Sequence, residues 1–463
     1  MKFNIVFPTA VGLVLVMILP GAPPALAQET TVWTLADSVR RALDIAPEMR
    51  AAEAEIAARM GELSQADAWP NPTIALRADE KLGIQDRRGG YNLNQLSFTQ
   101  PIPLRRLTHQ RRAAEEDLES ARAKQRYQRL QIEARTAQVF HALQLAAERQ
   151  RLAQERLALA EKLHRGAERQ SGGRKNNDQL VRYLSPLERA RLDVLRETAY
   201  QDVAEAEGKW SEATAQFRAL LAVAPGEPLT TLPLTPADTP KMLSALLDGL
   251  AAHPALLATQ HSRDASRAGV DVARAQRLAD PTLSIFHEQD ELAGQRRIYT
   301  GIMLGVQIPL WNNHDGSVAR AVAATDKADA LLAAQRRDLE SRLRQNHLHL
   351  GHLIEQAEHY RSRLLVPAKQ VLDLTRKGFA TGEQNGLALV DASNSYFEAQ
   401  AHYLDLLHDA WFEAAELRLA AGVSLLKPDN LSEENAVVGA RFIGRLTADN
   451  RPMNRAPTQE TQP

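Results

Sequence analysis

The sequence predicts a mainly α-helical fold of two similar halves, each with one pair of β-strands of the kind that crosses a membrane. Three observations in the 463-residue chain support this prediction. Proline and tyrosine landmarks recur at nearly constant spacing, apolar residues follow a coiled-coil period over several heptads, and each half contains two short alternating segments. The predicted order in each half is helix, strand, strand, very long helix, helix.

The duplication is visible when the second half is laid over the first. The matching residues are Pro47 with Pro254, Pro72 with Pro281, Tyr91 with Tyr299, and Pro103 with Pro309. The stretch WPNPTIALRAD at residues 69–79 reappears as LADPTLSIFHE at residues 278–288. Between the predicted repeats at 28–223 and 241–422, the prolines and threonines of residues 224–240 predict an extended linker.

The long helices are predicted from the period of their apolar residues. From Leu339 onward, apolar positions step alternately by four and three residues, which is typical of a coiled coil. The predicted seam comprises Leu339, Leu343, Leu350, Leu353, Ala357, Tyr360, Leu364, Val371 and Leu374. Asn346 and Pro367 interrupt it, and Pro367 predicts a kink because proline lacks a backbone N–H. In the first half, a helix over residues 107–170 would be about 95 Å long.

Four strands are predicted, at about residues 72–82, 91–101, 281–290 and 298–308. Apolar residues alternate with small or polar ones, and lengths of about 9–11 residues suit tilted strands in a bilayer. Trp69 and Trp311 flank the strands on the helix side, whereas Tyr91 and Tyr299 begin the return strands. These aromatics predict two membrane-interface belts, and the edge of a soluble four-stranded sheet is the alternative. Closing such a sheet in a membrane would require oligomerisation.

The N-terminus predicts export through a signal peptide over residues 1–27. Lys2, the apolar segment at residues 10–19 and the pattern Ala25–Ala27 form its three regions. The apolar segment is too short to span a bilayer, which needs about 20 residues. The absence of cysteine and a net charge of −1 exclude disulfides, thiolate metal sites and a basic nucleic-acid surface. Few apolar residues predict a flexible tail over residues 423–463.

Together these features resemble the TolC family of outer-membrane efflux channels. The resemblance rests on the signal peptide, the duplicated halves, NP and DP before the outgoing strands, and QPIPL and QIPL closing the return strands. It covers about residues 34–422 and implies a homotrimer whose twelve strands form one barrel in outer-membrane lipid, continued by a helical periplasmic tunnel. The phrase SPLERAR and the lack of cysteine most resemble channel subunits of heavy-metal, cobalt–zinc–cadmium type, resistance-nodulation-division (RND) systems.

The resemblance implies a passive exit duct in a Gram-negative outer membrane. An inner-membrane RND pump would supply the energy, and a periplasmic adaptor protein would connect the pump to the channel. Such a duct needs no cofactor, and no Ser-His-Asp order, phosphate loop or metal signature predicts an enzyme. A drug or type I protein-secretion channel shares the architecture and is the first alternative. A soluble periplasmic coiled-coil scaffold is the second.

The hairpin tips between the long helices are the predicted points of adaptor contact. Ser185 and Pro186 begin the helix after the first tip as part of the capping box SPLE. Gly378 and Gly382 supply backbone freedom for the second reversal, and Glu383 lies at its tip. A solvated loop acid is an equally open interpretation of Glu383.

The resemblance places the periplasmic aperture of the tunnel just after the second tip. Asp391 matches an acidic position that rings the closed entrance, so a trimer would present three carboxylates to one axis. Ala388 replaces a second acidic residue, and Phe379 and Gln384 replace a tyrosine and an arginine that latch the tip in some family members. This predicts a less charged constriction and an apolar contact for Phe379. A solvated acid near a helix start is the alternative for Asp391.

The stretch NHLHLGHLIEQAEHY offers a weak metal candidate at His349 and His352. These histidines lie one helical turn apart, off the apolar seam, and histidine is a common metal ligand. His347 is predicted to point away, and no carboxylate completes a tetrahedral set. An exposed polar helix face is therefore the preferred interpretation.

Overall fold

The computed structural model describes residues 32–78, 93–172, 185–292, 295–381 and 383–426. The predicted signal peptide, Tyr91, Gly382 and most of the predicted tail lie outside these residues. Within the described ranges, no helix combines the length and the apolar character needed to cross a membrane.

The first half consists of a short strand, two short helices, a pair of strands and two long helices. These elements are β1 (Val32–Trp33), α1 (Leu35–Ile45), α2 (Pro47–Ala66), β2 (Thr73–Ala78), β3 (Leu93–Pro101), α3 (Arg106–Gly172) and α4 (Pro186–Leu221). The 67 residues of α3 form a rod of about 100 Å, close to the length predicted from the sequence.

The second half repeats this order after a short strand. Its elements are β4 (Thr230–Thr231), α5 (Leu243–Asp248), a 3₁₀ turn (Gly249–Ala252), α6 (Pro254–Ala275), β5 (Thr282–Leu292), β6 (Gln295–Gly305), α7 (Asp315–Tyr360), a π-helical turn (Arg361–Leu365), α8 (Val366–Thr381) and α9 (Gly386–Ala421). The mainly α-helical fold with duplicated strand-strand-helix-helix halves is thus confirmed. The β5–β6 hairpin extends beyond the apolar segment to the Leu292–Gln295 pair, because backbone hydrogen bonds need no apolar side chain.

The long strands form one antiparallel sheet in the order β2-β3-β5-β6, so β2 and β6 are its open edges. The register collects apolar side chains on one side, called the apolar face: Ile74, Leu76, Leu96, Phe98, Leu283, Ile285, Ile302 and Leu304. All of these side chains are exposed in the single chain. The opposite side, called the polar face, includes Ser97, Thr99, Thr282, Ser284, Phe286, Gly301 and Gly305. The predicted alternation therefore separates the two faces as the strand period requires.

The helices are arranged with α3 near the centre. Helix α3 contacts α2, α4, α6 and α9, while α7 contacts α6 and α9, and α8 contacts α9. Near the hairpin tips, the order of the helices across the bundle is α4, α3, α9 and α8. Helix α4 of the first half and helices α7 and α8 of the second half therefore form the two flanks.

The apolar seam that runs along α7 and α8 changes register at the π-helical turn between them. Before the turn, the predicted positions Leu350, Leu353 and Ala357 are buried. At its last residue and beyond, Leu365 and Leu372 are buried instead. The predicted seam is wrong for three residues, which are exposed: Leu364, Val371 and Leu374. A π turn adds one residue, so every later position rotates by about 100°. The turn lies directly before Pro367, where a helix must accommodate a missing N–H.

The linker at residues 224–240 runs across the helices as a strap. Its strand β4 pairs in parallel with β1. Side chains from three helices donate hydrogen bonds to backbone carbonyls in or next to the strap: Gln144 to Leu232 at 2.7 Å, Trp411 to Thr235 at 2.7 Å, and His347 to Lys241 at 2.9 Å. The bond to Lys241 explains why His347 points away from His349 and His352.

The chain reverses at Gly422, directly after α9. Gly422 has a φ of 72°, and the buried His253 ring lies against it. His253 Nδ1 accepts the N–H of Ala255 at 3.1 Å and Nε2 donates to the carbonyl of Leu419 at 3.0 Å. This neutral histidine therefore joins the start of α6 to the end of α9, and burial lowers its pKa.

Candidate functional site

The end of the helix bundle farthest from the sheet carries the predicted tip and aperture residues. Ser185 begins α4 as predicted: its hydroxyl accepts the Glu188 N–H at 3.2 Å, and the Glu188 carboxylate accepts the Ser185 N–H at 2.8 Å. Pro186 occupies the first helical turn, where no intrahelical N–H bond is lost. The Ser185 and Pro186 helix start is therefore built by local capping.

Glu188 also reaches the second hairpin, which sequence analysis did not predict. Its second carboxylate oxygen accepts the N–H of Gly386 at 3.3 Å, at the first residue of α9. Asn385 caps the same helix by accepting the Ala388 N–H at 2.8 Å. One carboxylate thus lies at two helix N-termini, where the backbone N–H groups and the helix dipoles favour a negative charge.

The reversal between α8 and α9 is organised around Gly378. The Gly378 carbonyl accepts the N–H groups of Glu383 at 2.8 Å and Gln384 at 3.0 Å. A Cβ at Gly378 would lie 2.7 Å from Cγ of Gln384, so a side chain there would displace Gln384. Glu383 is exposed at this reversal. Gln384 therefore covers the turn backbone.

The predicted aperture residues lie on both sides of this reversal. Phe379 is half-buried and packs against Leu192 of α4 and Leu389 of α9, an apolar contact between the two hairpins. Ala388 is half-buried, whereas Asp391 is exposed. Within the described part of the chain, Asp391 forms no hydrogen bond or ion pair, so its carboxylate is accessible to ions.

An arginine-centred junction lies about two helical turns into the bundle from the start of α9. Arg156 of α3 forms an ion pair with Asp202 of α4 and donates to Asn394 of α9 at 2.8 Å. Its guanidinium therefore joins three helices, consistent with the fixed multi-donor geometry of arginine. Sequence analysis missed this junction because Asp202 and Asn394 lie 46 and 238 residues from Arg156 in the sequence.

The predicted histidine pair has separate environments. His349 lies 3.1 Å from the carboxylate of Glu413 on α9, and His352 is exposed. Among the described residues, no cluster of three or more His, Asp and Glu side chains could hold a metal ion. The contact with Glu413 joins α7 to α9 and gives His349 a partner that sequence analysis did not identify.

The predicted interface aromatics that the structure describes lie in the loops or on the polar face. Trp69 and Trp311 are exposed beside the strands, at the helix-side boundary of the sheet. Tyr299 lies on the polar face, opposite Glu288, so it does not join an aromatic belt on the apolar face. The alternation of β6 explains this position, because Tyr299 is an odd number of residues from Ile302 and Leu304.

The family model of the outer membrane efflux proteins matches the chain in two segments, residues 39–223 and 247–423. The chain belongs to this family. The two matched segments correspond to the two structural halves, and membership identifies the chain as a transport protein rather than an enzyme. The efflux function that the sequence resemblance implied is confirmed at this level.

Several individual proteins are similar to this outer membrane efflux protein. The cobalt-zinc-cadmium resistance protein CzcC of Cupriavidus metallidurans is 26% identical over 381 residues, covering 80% of this chain and 85% of CzcC. The CusC structure is 17% identical with a TM-score of 0.67, covering 84% of this chain and 92% of CusC. VceC of Vibrio cholerae also has 17% identity and a TM-score of 0.67, covering 85% and 97%. The two structural similarities confirm the fold.

Proposed function

We propose that this protein is the homotrimeric exit channel of a tripartite efflux system for heavy-metal cations. An inner-membrane RND pump would deliver the ions through a periplasmic adaptor. The structural observation that carries the channel proposal is the four-stranded sheet with one apolar, exposed face and two open edges. The similarity to a cobalt-zinc-cadmium resistance protein supports the substrate class.

The open edges support a ring of identical copies. Among the described residues, strand β2 and helix α4 have an open side on one flank, and strand β6 and helix α8 have an open side on the other. Joining each first-half flank to the next copy's second-half flank closes sheet and bundle together. The residues turned outward by the π turn, Leu364 and Val371, and Val194 on α4, provide apolar surface for this contact.

The two faces of the sheet support its orientation in such a ring. An apolar face towards lipid and a polar face towards a water-filled lumen is the pattern of membrane barrels. The long helices would then extend into the periplasm, with the Glu188 and Gly378 end directed at the adaptor. Three accessible Asp391 carboxylates near this end would attract cations before they enter the duct.

The first test is growth of a deletion strain across graded zinc, cobalt, cadmium, copper and silver, beside detergents and dyes. We expect hypersensitivity to metals that the intact gene restores. A matched pair of restored strains, Asp391→Asn and the remote exposed Asp409→Asn, separates an aperture effect from a general loss of charge. Sensitivity to detergents and dyes alone would instead indicate a drug-efflux channel, and fractionation of the protein away from membranes would contradict the channel itself.

A further inference from the structure

Phe286 is a large apolar side chain on the polar face of the sheet. Its register neighbours are Ser97 on β3 and Gly301 on β6. A phenyl ring on a water-lined surface loses the stabilisation of burial unless it finds a surface to cover. The side chain is nevertheless only half-exposed, so part of the ring is covered within the chain.

The backbone of Gly301 covers part of the Phe286 ring. A Cβ placed on Gly301 would lie 2.4 Å from Cζ of Phe286, 2.8 Å from Cε1 and 3.0 Å from Cε2. The far end of the ring therefore lies directly over the Gly301 Cα, in the space that any other side chain would fill. Gly305, four residues along β6, shows the same relation to Thr282, whose hydroxyl oxygen lies 2.6 Å from the Cβ position.

We propose that the missing side chain of Gly301 leaves a space, called the seat, in which the Phe286 ring lies against the inner wall of the barrel. The seat thereby sets the lumen width at this level. This inference rests on the proposed function, in which the polar face lines the lumen. In a threefold ring, three such aromatic rings lie at one height around the axis. A side chain at position 301 would displace each ring towards the axis, because the strand backbone behind it is fixed by its hydrogen bonds to β5.

A purely stabilising role for the pair must be separated from this one. Aromatic rings that cover glycines on neighbouring strands stabilise a sheet wherever they occur. Both roles predict that Gly301→Ala lowers the melting temperature of the assembled protein. The position of the ring relative to the lumen distinguishes the two roles.

The chain has no cysteine, so a single introduced thiol reports on this position without background. We would place it by Ser97→Cys, directly opposite Phe286 in the register, and label intact cells with a small cationic methanethiosulfonate or a bulky polyethylene-glycol maleimide. Adding Gly301→Ala should slow the bulky reagent several-fold and the small one less. The matched control Gly305→Ala should leave both rates unchanged, and Phe286→Ala combined with Gly301→Ala should restore the bulky reagent's rate.

The possible outcomes distinguish a failure of the proposed channel function from a failure of the inference about Gly301 and Phe286. If neither reagent reaches the Ser97→Cys thiol in the otherwise unchanged protein, the polar face does not line an open lumen and the proposed function fails. If the thiol is labelled but Gly301→Ala has no effect in a correctly assembled protein, the seat is refuted and the channel stands. Slow labelling that persists in the Phe286→Ala double variant would also refute the seat.

Discussion

The carboxylate shared between the two hairpins makes a quantitative prediction for Glu188→Gln. The glutamine side chain keeps the shape but has only one acceptor, so the bonds to the N–H groups of Ser185 and Gly386 can no longer both form. A hydrogen bond to a charged group contributes about 1.5–3 kcal/mol, and the 3.3 Å distance to Gly386 is beyond the usual range. We therefore expect a loss of about 1 kcal/mol at the start of α9.

Amide hydrogen exchange measures this loss where it occurs. A loss of about 1 kcal/mol corresponds to roughly five-fold faster exchange of the Gly386 amide, if α9 opens locally at this end. The Ala388 amide should change less, because Asn385 still binds it. A peptide that begins before residue 384 and ends at residue 389 would carry the signal in mass spectrometry, because the first two residues of a peptide do not retain the label.

The matched control is Glu207→Gln on the same helix α4. Glu207 is exposed and forms no hydrogen bond or ion pair among the described residues. It should leave exchange at the start of α9 unchanged. Equal exchange in Glu188→Gln and the unchanged protein, or equal acceleration by both variants, would refute the role of the shared carboxylate.

Three further predictions concern other residues. Burial lowers the pKa of His141 to about 4, so the folded protein excludes a proton that the unfolded chain binds below about pH 6.5. The contribution of His141 to stability should thus be constant above pH 6.5 and fall by about 1.4 kcal/mol per pH unit down to pH 4, and melting curves of His141→Gln should lack that component. Gly422→Ala should lower the free energy of unfolding by about 1–2 kcal/mol or more, because the residue has a positive φ and its new Cβ would meet the His253 ring. A lowered melting temperature would show this loss. Asp391→Asn should lower the cation preference of the open pore in planar bilayers, and an unchanged reversal potential would contradict its role at the aperture.

Local patterns predicted those parts of the fold that depend on neighbours in sequence. Strand alternation placed Ile302 and Leu304 on one face, and the SPLE motif located the start of α4. Both follow from short-range rules, a period of two residues and a capping box, which need no knowledge of distant contacts. The same is true of the length of α3.

Contacts between distant segments were beyond such rules. The heptad count failed from Leu364 onward because one extra residue in a π turn rotates that side chain out of the core. The bond from Glu188 to Gly386 joins residues 198 positions apart, so no local motif encodes it. Tyr299 is a different case: it was assigned to a belt from its place at a strand end, although the alternation of β6 already puts it on the face opposite Ile302 and Leu304.

The strap across the helices has a consequence for how this protein tolerates variation. Its hydrogen bonds use the backbone carbonyls of the strap and the side chains of the helices, notably Gln144 and Trp411. Every amino acid has a carbonyl, so identity matters little at Leu232 and Thr235, whereas the donors on the helices cannot be exchanged freely. Sequence drift should therefore accumulate at exposed strap positions such as Leu232 and Thr235, while the genetic constraint on these bonds lies more than 80 residues away along the chain.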